Sequence, residues 1–374
     1  MERISFVDFY KKNNISPVSQ DVSNLEKHFQ RRSALIRSLG LPEFSIKGTS
    51  VIEFGPGSGH NALFTASLEP RLYYLVDGNT VGLESAKKLL KPPSNIEIQF
   101  IESLFEEYFS SKKFELVWAE NCISHQANPK KILKHISSFT DKNGVLVFTT
   151  HSGASYLSET IRRIGAYINT RDIHDLNAQL EKLTPFFARH LSHLKNMSRP
   201  VKDWILDSLL NPLEFSKIMN LEDAIAVLND DFEFFHSSPK FIRDLRWYKD
   251  QIFEHRQYNK IALNCYYKNN LSFLDYRYDF PETDEEFGIE LERKCLHAWD
   301  EMCAIQKNNS LDLNNFITNA MEIAELIGGI SPKTTLAINE SLEWLENGAV
   351  LDRNYKNLEQ WWGKGTQYLS FIRK

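Results

Sequence analysis

The stretch Val51–Ala62, VIEFGPGSGHNA, decides the fold. An apolar run closes at Glu53 and Phe54 and opens into Gly55, Gly57 and Gly59, interleaved with Pro56 and Ser58, before helical sequence begins near Asn61. Glycine is needed where a backbone turns sharply or approaches another group closely, because a Cβ would clash there. A strand, a glycine turn and a helix in that order open a βαβ unit that can hold a ligand at the strand end. A tight turn with no ligand remains the plainer alternative. The spacing is also not GxGxxG, the dinucleotide fingerprint, since the position its third glycine would take holds His60.

Working outward, the runs SVIEF, LYYLV, IEIQFI, FELVWA and GVLVFTT alternate with helical stretches such as VGLESAKKLL and PKKILKHISSF. Five β-rich runs separated by helices imply parallel strands joined by right-handed crossovers. The expectation is a Rossmann-like α/β fold, a doubly wound, mostly parallel sheet over residues 48–150. Residues 1–47 read as an N-terminal helical cap, where Leu25, Phe29, Leu35 and Leu39 partly follow helical spacing up to Gly40. Residues 151–220 read as a helical insertion carrying Leu176, Leu180, Leu183, Phe187, Leu191 and Leu194, with Thr184 and Pro185 restarting the helix. FEFFH at 232–236 and IALNCYY at 261–267 have strand character, so 221–270 is expected to complete the sheet domain. Residues 271–374 read as a helical C-terminal region.

Of 374 residues, 42% are hydrophobic and 25% charged, and no apolar run reaches the roughly 20 residues of a membrane helix. The N-terminus lacks a signal-peptide pattern, which points to the cytoplasm. The net charge of −5, without a long basic run, gives no electrostatic footprint for nucleic acid or an anionic membrane, although local patches stay open. Four cysteines, Cys122, Cys265, Cys295 and Cys303, are too scattered for a zinc site or disulfide framework, so no metal is expected. Long apolar helical stripes need burial, which a homodimer would supply.

Asp77 ends LYYLVD about 20 residues beyond the glycine loop, where a carboxylate meets ribose hydroxyls, although it would equally cap the following helix. EFGPGSG resembles the first motif of the class I S-adenosylmethionine-dependent methyltransferases of small-molecule type, and VDGN resembles the acidic end of their second strand. The resemblance covers roughly residues 48–150. It implies S-adenosylmethionine as cofactor and S-adenosylhomocysteine as product. Gly55, Pro56, Gly57, Ser58 and Gly59 would face the methionine part, with Glu53 beneath the loop, and Asp77 and Gly78 would hold the ribose. Glu102, Ser103 and Leu104 would contact adenine, and Glu120 and Asn121 would follow the fourth strand.

Two histidines stand as candidate general bases, His125 after that strand and His151 after the fifth, because imidazole titrates near neutrality. Either would serve equally as a packing or loop residue. Arg32, in HFQRR, offers a planar fork for a carboxylate, with a solvated helix face as its plainer reading. Trp204, Arg246, Trp247 and Tyr248 are candidate substrate-binding residues, and packing explains the tryptophans as well. The expected activity is methyl transfer to a small-molecule acceptor, a sugar or other bulky metabolite. Two alternatives stay open: aminopropyl transfer, for which AENC supplies only one acidic residue, and a non-catalytic cofactor-binding scaffold.

Overall fold

The computed structural model describes residues 6–16, 20–91, 96–124, 126–195, 197–212, 218–251 and 257–374. The chain begins with α1 (Phe6–Asn13) and α2 (Leu25–Ser38), then alternates β1 (Ser50–Phe54), α3 (Ala62–Ser67), β2 (Leu72–Asp77), α4 (Thr80–Leu89), β3 (Glu97–Glu102), β4 (Phe114–Ala119), α5 (Pro129–Ser137) and β5 (Thr140–His151). It leaves the sheet through α6 (Gly153–Thr170), α7 (Leu176–Ser192) and α8 (Val201–Ile205), and returns as α9 (Leu221–Leu228), β6 (Phe232–Ser238) and α10 (Gln257–Lys268). A second excursion runs through α11 (Asn270–Leu274), α12 (Glu285–Lys307), α13 (Asn314–Ile327), α14 (Pro332–Glu346) and α15 (Lys356–Gln360) and ends in β7 (Thr366–Arg373). Two compact units result, a sheet unit of residues 1–150, 219–266 and 366–374, and a helical unit of 151–218 and 267–365.

The seven strands of the sheet unit are ordered β3-β2-β1-β4-β5-β7-β6 among the described residues. Strands β1 to β5 pair in parallel, and β6 pairs antiparallel with β7. β1 and β2 are buried at every position, which is why they read as unbroken apolar runs rather than alternating ones. β3, at the sheet edge, alternates instead. The direction of β7 follows from its ends: Thr366 donates to Asn121 Oδ1 (3.0 Å) beyond β4, and Arg373 donates to the Thr140 carbonyl that opens β5. β7 therefore runs against β5, and β6 ends on the same edge as β1, β2 and β4. Side-chain caps fix several helix starts, with Asn24, Asn79 and Asn128 each accepting a backbone N–H of the first turn.

Three sequence readings need correction. IALNCYY is helical, part of α10, and Ala262, Cys265 and Tyr266 form its buried face at helical spacing. Its β-branched and aromatic content suggested a strand, but the period of burial is decisive. The C-terminal region is not helical throughout, since TQYLSFIR at 366–373 forms β7. Finally, α7 does not restart at Thr184: it continues through Pro185, with Phe186 and Phe187 buried just beyond. The helix tolerates one missing N–H because that burial outweighs it.

In the helical unit, α6 packs along α12, and small residues set the close approaches. A Cβ on Gly165 would fall 1.9 Å from the Trp344 ring, and one on Gly153 would fall 2.7 Å from the Leu296 nitrogen. Glu292 caps α6 from α12, accepting the amides of Gly153 (3.0 Å) and Ala154 (3.3 Å).

Candidate functional site

β1 delivers the chain into a loop whose three glycines all have left-handed backbones: Gly55 (φ 73°), Gly57 (φ 54°) and Gly59 (φ 82°). The conformation alone favours glycine, and crowding reinforces it. A Cβ on Gly55 would sit 2.7 Å from that of Cys122, and one on Gly59 would sit 2.8 Å from that of Ala86 in α4. Gly82, also in α4, leaves only 3.1 Å for a Cβ before the Gly57 carbonyl, so the loop rests directly on that helix. The turn closes through Gly59 N–H to the Pro56 carbonyl (3.0 Å), and Ser58 shares a hydrogen bond with His60 Nδ1 (2.7 Å).

Asp77, at the end of β2, joins the loop to the neighbouring strand. One carboxylate oxygen accepts the Gly57 amide at 3.0 Å, and the other accepts the Asn79 amide at 2.8 Å. Burial pushes its pKa up, while these two amides hold it down. Gly78 is buried beside Leu104, 3.0 Å from where a Cβ would stand, with Val7 of α1 next to it. Asn79 donates to the Ile15 carbonyl at 3.2 Å, so residues from 7 to 15 lie along this edge. Register places Glu102 opposite Asp77, Ser103 N–H bonds the Asp77 carbonyl (3.2 Å), and exposed Glu102 accepts from Thr80 (2.7 Å).

Beyond β4, Glu120 collects donors. It accepts from Arg32 Nη1 at 2.9 and 3.2 Å, Asn61 at 3.1 Å, the Trp118 indole at 3.2 Å and the Tyr368 hydroxyl at 2.7 Å. Arg32 is buried, and burial works against its charge. Glu120, with help from Tyr368 and Glu53, more than offsets this and raises its pKa. Asn121 (φ 52°) bonds Thr149 through its amide (2.8 Å), which ties this loop to β5. Glu53, 4% exposed, accepts the Tyr73 hydroxyl, and burial raises its pKa to about 7, with Glu120 adding to the rise. Cys122 donates to the Phe54 carbonyl (3.2 Å), and its thiol is pushed well up by burial and by the charges of Asp77, Glu53 and Glu120.

The geometry brings Glu53, the Gly55–Gly59 loop, Asp77, Gly78, Glu102, Ser103, Leu104, Glu120 and Asn121 to the ends of four adjacent parallel strands. Arg32 is not a free anion receptor, because its guanidinium is committed to Glu120, the pairing a buried charge requires. Trp204 is a core residue of the helical unit, 4% exposed between Phe187 and Trp362. Arg246 is paired to Asp244 (2.6 Å), while Trp247 and Tyr248 are exposed at 58% and 69% in the sheet unit. His151 is buried, its ring 4.4 Å from that of Tyr156. His125 lies outside the described residues. The sequence reading missed Tyr73, Asn61, Trp118 and Tyr368, although one signal was present: His28, Arg32 and Ile36 recur every four residues and form the buried stripe of α2.

A glycine loop after β1, an acidic residue ending β2 and this strand order occur together in a sequence whose residues 25–197 match the profile of a methyltransferase-domain family. Over those residues the chain is similar to methyltransferase domains. A search of curated proteins finds no match. Among solved structures, it is similar to an S-adenosylmethionine-dependent methyltransferase from Mesorhizobium loti, at 16% identity and TM-score 0.28, over 33% of this chain and only 53% of that one. It is also similar to magnesium protoporphyrin IX methyltransferase from Synechocystis PCC 6803 with bound S-adenosylhomocysteine, at 12% identity and TM-score 0.37, over 62% of this chain and 90% of that one. A third is the N-methyltransferase NodS from Bradyrhizobium japonicum WM9, at 16% identity and TM-score 0.32, over 39% of this chain and 74% of that one. Among the described residues, no helix is long and apolar enough to cross a membrane, and no group of three or more metal-ligating side chains occurs.

Proposed function

We propose that this chain binds S-adenosylmethionine across Gly55–Gly59 and transfers its methyl group to a small-molecule acceptor, leaving S-adenosylhomocysteine. The observation that carries this is the Gly57 amide held by the Asp77 carboxylate, which fixes a left-handed glycine backbone against an acidic strand end. Each Asp77 oxygen accepts one backbone N–H, and a carboxylate oxygen has a further lone pair for a ribose hydroxyl. In this reading Gly55, Pro56, Gly57, Ser58 and Gly59 face the methionine part with Glu53 beneath them. Asp77 and Gly78 hold the ribose, Glu102, Ser103 and Leu104 meet adenine, and Glu120 and Asn121 wall the site. The cofactor supplies an electrophilic methyl carbon on a sulfonium, so the protein's task is to align the nucleophile and exclude water. His151 and His125 are kept as candidate bases for a hydroxyl acceptor.

The finer reading of the acceptor is a hydroxylated metabolite such as a sugar, met by a protein that works in the cytoplasm. The net charge of −5 favours it over nucleic acid. Aminopropyl transfer is disfavoured because the one acidic group available after β4, Glu120, is already occupied by four donor residues. Calorimetry with S-adenosylhomocysteine tests the cofactor claim. Wild type should bind, Gly57→Val should not, and Asp77→Ala should bind at least about tenfold more weakly. Unchanged affinity in Gly57→Val would refute the assignment.

A further inference from the structure

Leu245, Trp247 and Tyr248 of the sheet unit are 78%, 58% and 69% exposed, a concentration of apolar side chains that the cofactor reading does not use. Exposed apolar side chains scattered singly are ordinary. Nowhere else among the described residues, however, do two large exposed ones fall within five positions of each other. The chain around them is anchored. Phe241 is buried, with its ring 6.2 Å from that of Phe234 and 5.9 Å from that of Tyr266. Asp244 accepts the Arg246 amide at 3.1 Å and its guanidinium at 2.6 and 2.9 Å, which pins the backbone on either side of Leu245.

The charge of this stretch runs against that of the molecule. Residues 240–250 carry four basic and two acidic side chains, in a chain whose net charge is −5. Leu245 also borders an open groove of about 570 Å³, which Arg243, Lys260 and the Asp244–Arg246 pair line with it. Asp244 is the one carboxylate of that groove and is committed to Arg246. Arg243 and Lys260 are exposed and have no ion-pair partner among the described residues. Lys249 holds its ammonium 4.7 Å from the Trp247 ring centre and 5.7 Å from that of Tyr248, so cation and ring faces are presented together. Tryptophan and tyrosine settle at the headgroup level of a bilayer, leucine reaches the acyl boundary, and cations meet the lipid phosphates. A protein partner fits less well. Three such side chains offer on the order of 400 Å² of apolar area, against the roughly 800 Å² per partner of a stable interface.

We propose that the face formed by Leu245, Trp247 and Tyr248 with Arg243 and Lys260 docks this chain on a membrane surface rich in anionic phospholipid. Lipid phosphates meet the two unpaired cations, and the apolar side chains enter the boundary between headgroups and acyl chains. In a net acidic chain, a basic patch gives the molecule a polarity that a negative surface orients. The docking holds whether or not the glycine loop takes S-adenosylmethionine.

Cosedimentation of the full chain with vesicles tests this, using phosphatidylglycerol mixed into phosphatidylcholine against phosphatidylcholine alone. The chain should pellet with the anionic vesicles and not with the neutral ones, and high salt should release it because exposed charges are screened. Losing both cations, in Arg243→Ala with Lys260→Ala, should weaken binding at least about tenfold, since each cation near such a surface is worth about fivefold. Leu245→Ala and Trp247→Ala should each weaken it by about fivefold or more. All these side chains are exposed, so the urea midpoint should not move. Acyl chains carrying bromine should quench tryptophan fluorescence in the wild type and much less in Trp247→Phe. No binding to anionic vesicles, equal binding to neutral ones, or quenching unchanged in Trp247→Phe would overturn the proposal. Displacement by millimolar inorganic phosphate would replace it with a small-anion site, and capture of poly-L-glutamate in place of vesicles would replace it with an acidic protein partner. S-adenosylhomocysteine calorimetry on the same samples keeps the two claims apart: cofactor binding without vesicle binding defeats only the docking face, and the reverse defeats only the cofactor reading.

Discussion

The two units each bury an arginine, and they stabilise it by opposite means. In the sheet unit, Arg32 lies against a carboxylate, and Glu120 raises its pKa despite burial. In the helical unit, Arg162 is fully buried with no carboxylate bonded to it. It donates to the carbonyls of Ser158, Leu358 and Trp361 and to His190 Nδ1, and its plane lies 3.8 Å over Trp362. Burial there pulls its pKa down to about 9, so it stays charged at neutral pH but at a cost. The difference is one of purpose. Arg162 fastens the returning chain near α15 to α6 across a separation of almost 200 residues, using dipoles that only one backbone path presents. Arg32 instead fixes a charged side chain at the end of β4, where four donor residues orient Glu120 beside the glycine loop.

Removing Arg162 should therefore have the largest effect on stability. Arg162→Met takes a donor from three buried carbonyls and from His190, and should cost about 3–5 kcal/mol, read as a lower urea midpoint. S-adenosylhomocysteine affinity of the folded fraction should not change. If the loss is below about 1 kcal/mol, water satisfies those carbonyls and Arg162 is not the fastener.

Arg32 should cost less, because Glu120 keeps Asn61, Trp118 and Tyr368 when the guanidinium is lost. Arg32→Met and Glu120→Gln should each lose about 2–3 kcal/mol, and the double variant should lose less than their sum by at least about 1 kcal/mol. Additive losses would mean that the pair contributes packing and not charge. Cofactor affinity should weaken a fewfold in Arg32→Met, in contrast to Arg162→Met.

These clusters also mark the limit of what the sequence revealed. The glycine loop and Asp77 were legible because turn chemistry is local: positive φ at Gly55, Gly57 and Gly59 writes itself into residue type. The central strands were legible because burial on both faces leaves unbroken apolar runs. β7 was not, since TQYLSFIR pairs with β6 more than 100 residues earlier, and that register is decided only in three dimensions. Glu120 meets Tyr368 across 248 residues, beyond any pattern in the chain. The strand reading of IALNCYY failed for a different reason, because residue type was weighed above the helical spacing of Ala262, Cys265 and Tyr266.

The smallest expected effect, and the one that probes the sheet unit's charge cluster most directly, belongs to Glu53. Its carboxyl is raised from 4.5 to about 7 in the folded chain, with burial as the first cause, so between these values the folded state holds a proton that the unfolded state has released. Folding is then favoured by acid: the contribution is complete below about 4.5 and is lost as pH rises through about 7. Full conversion of that shift gives about 3 kcal/mol, and relaxation around Tyr73 should bring it to the order of 2 kcal/mol. Glu53→Gln keeps the shape and removes the ionisation. Urea unfolding at pH 5 and pH 8 should therefore show the variant gaining about 2 kcal/mol on the wild type at the higher pH. Tyr73→Phe should move the wild-type midpoint upward, because the phenol donates to the ionised form and holds the pKa down. A wild-type curve that instead loses stability only toward low pH would mean that Arg32 outweighs burial at Glu53, and the cluster would be one ion-pair network rather than a salt bridge beside a protonated acid.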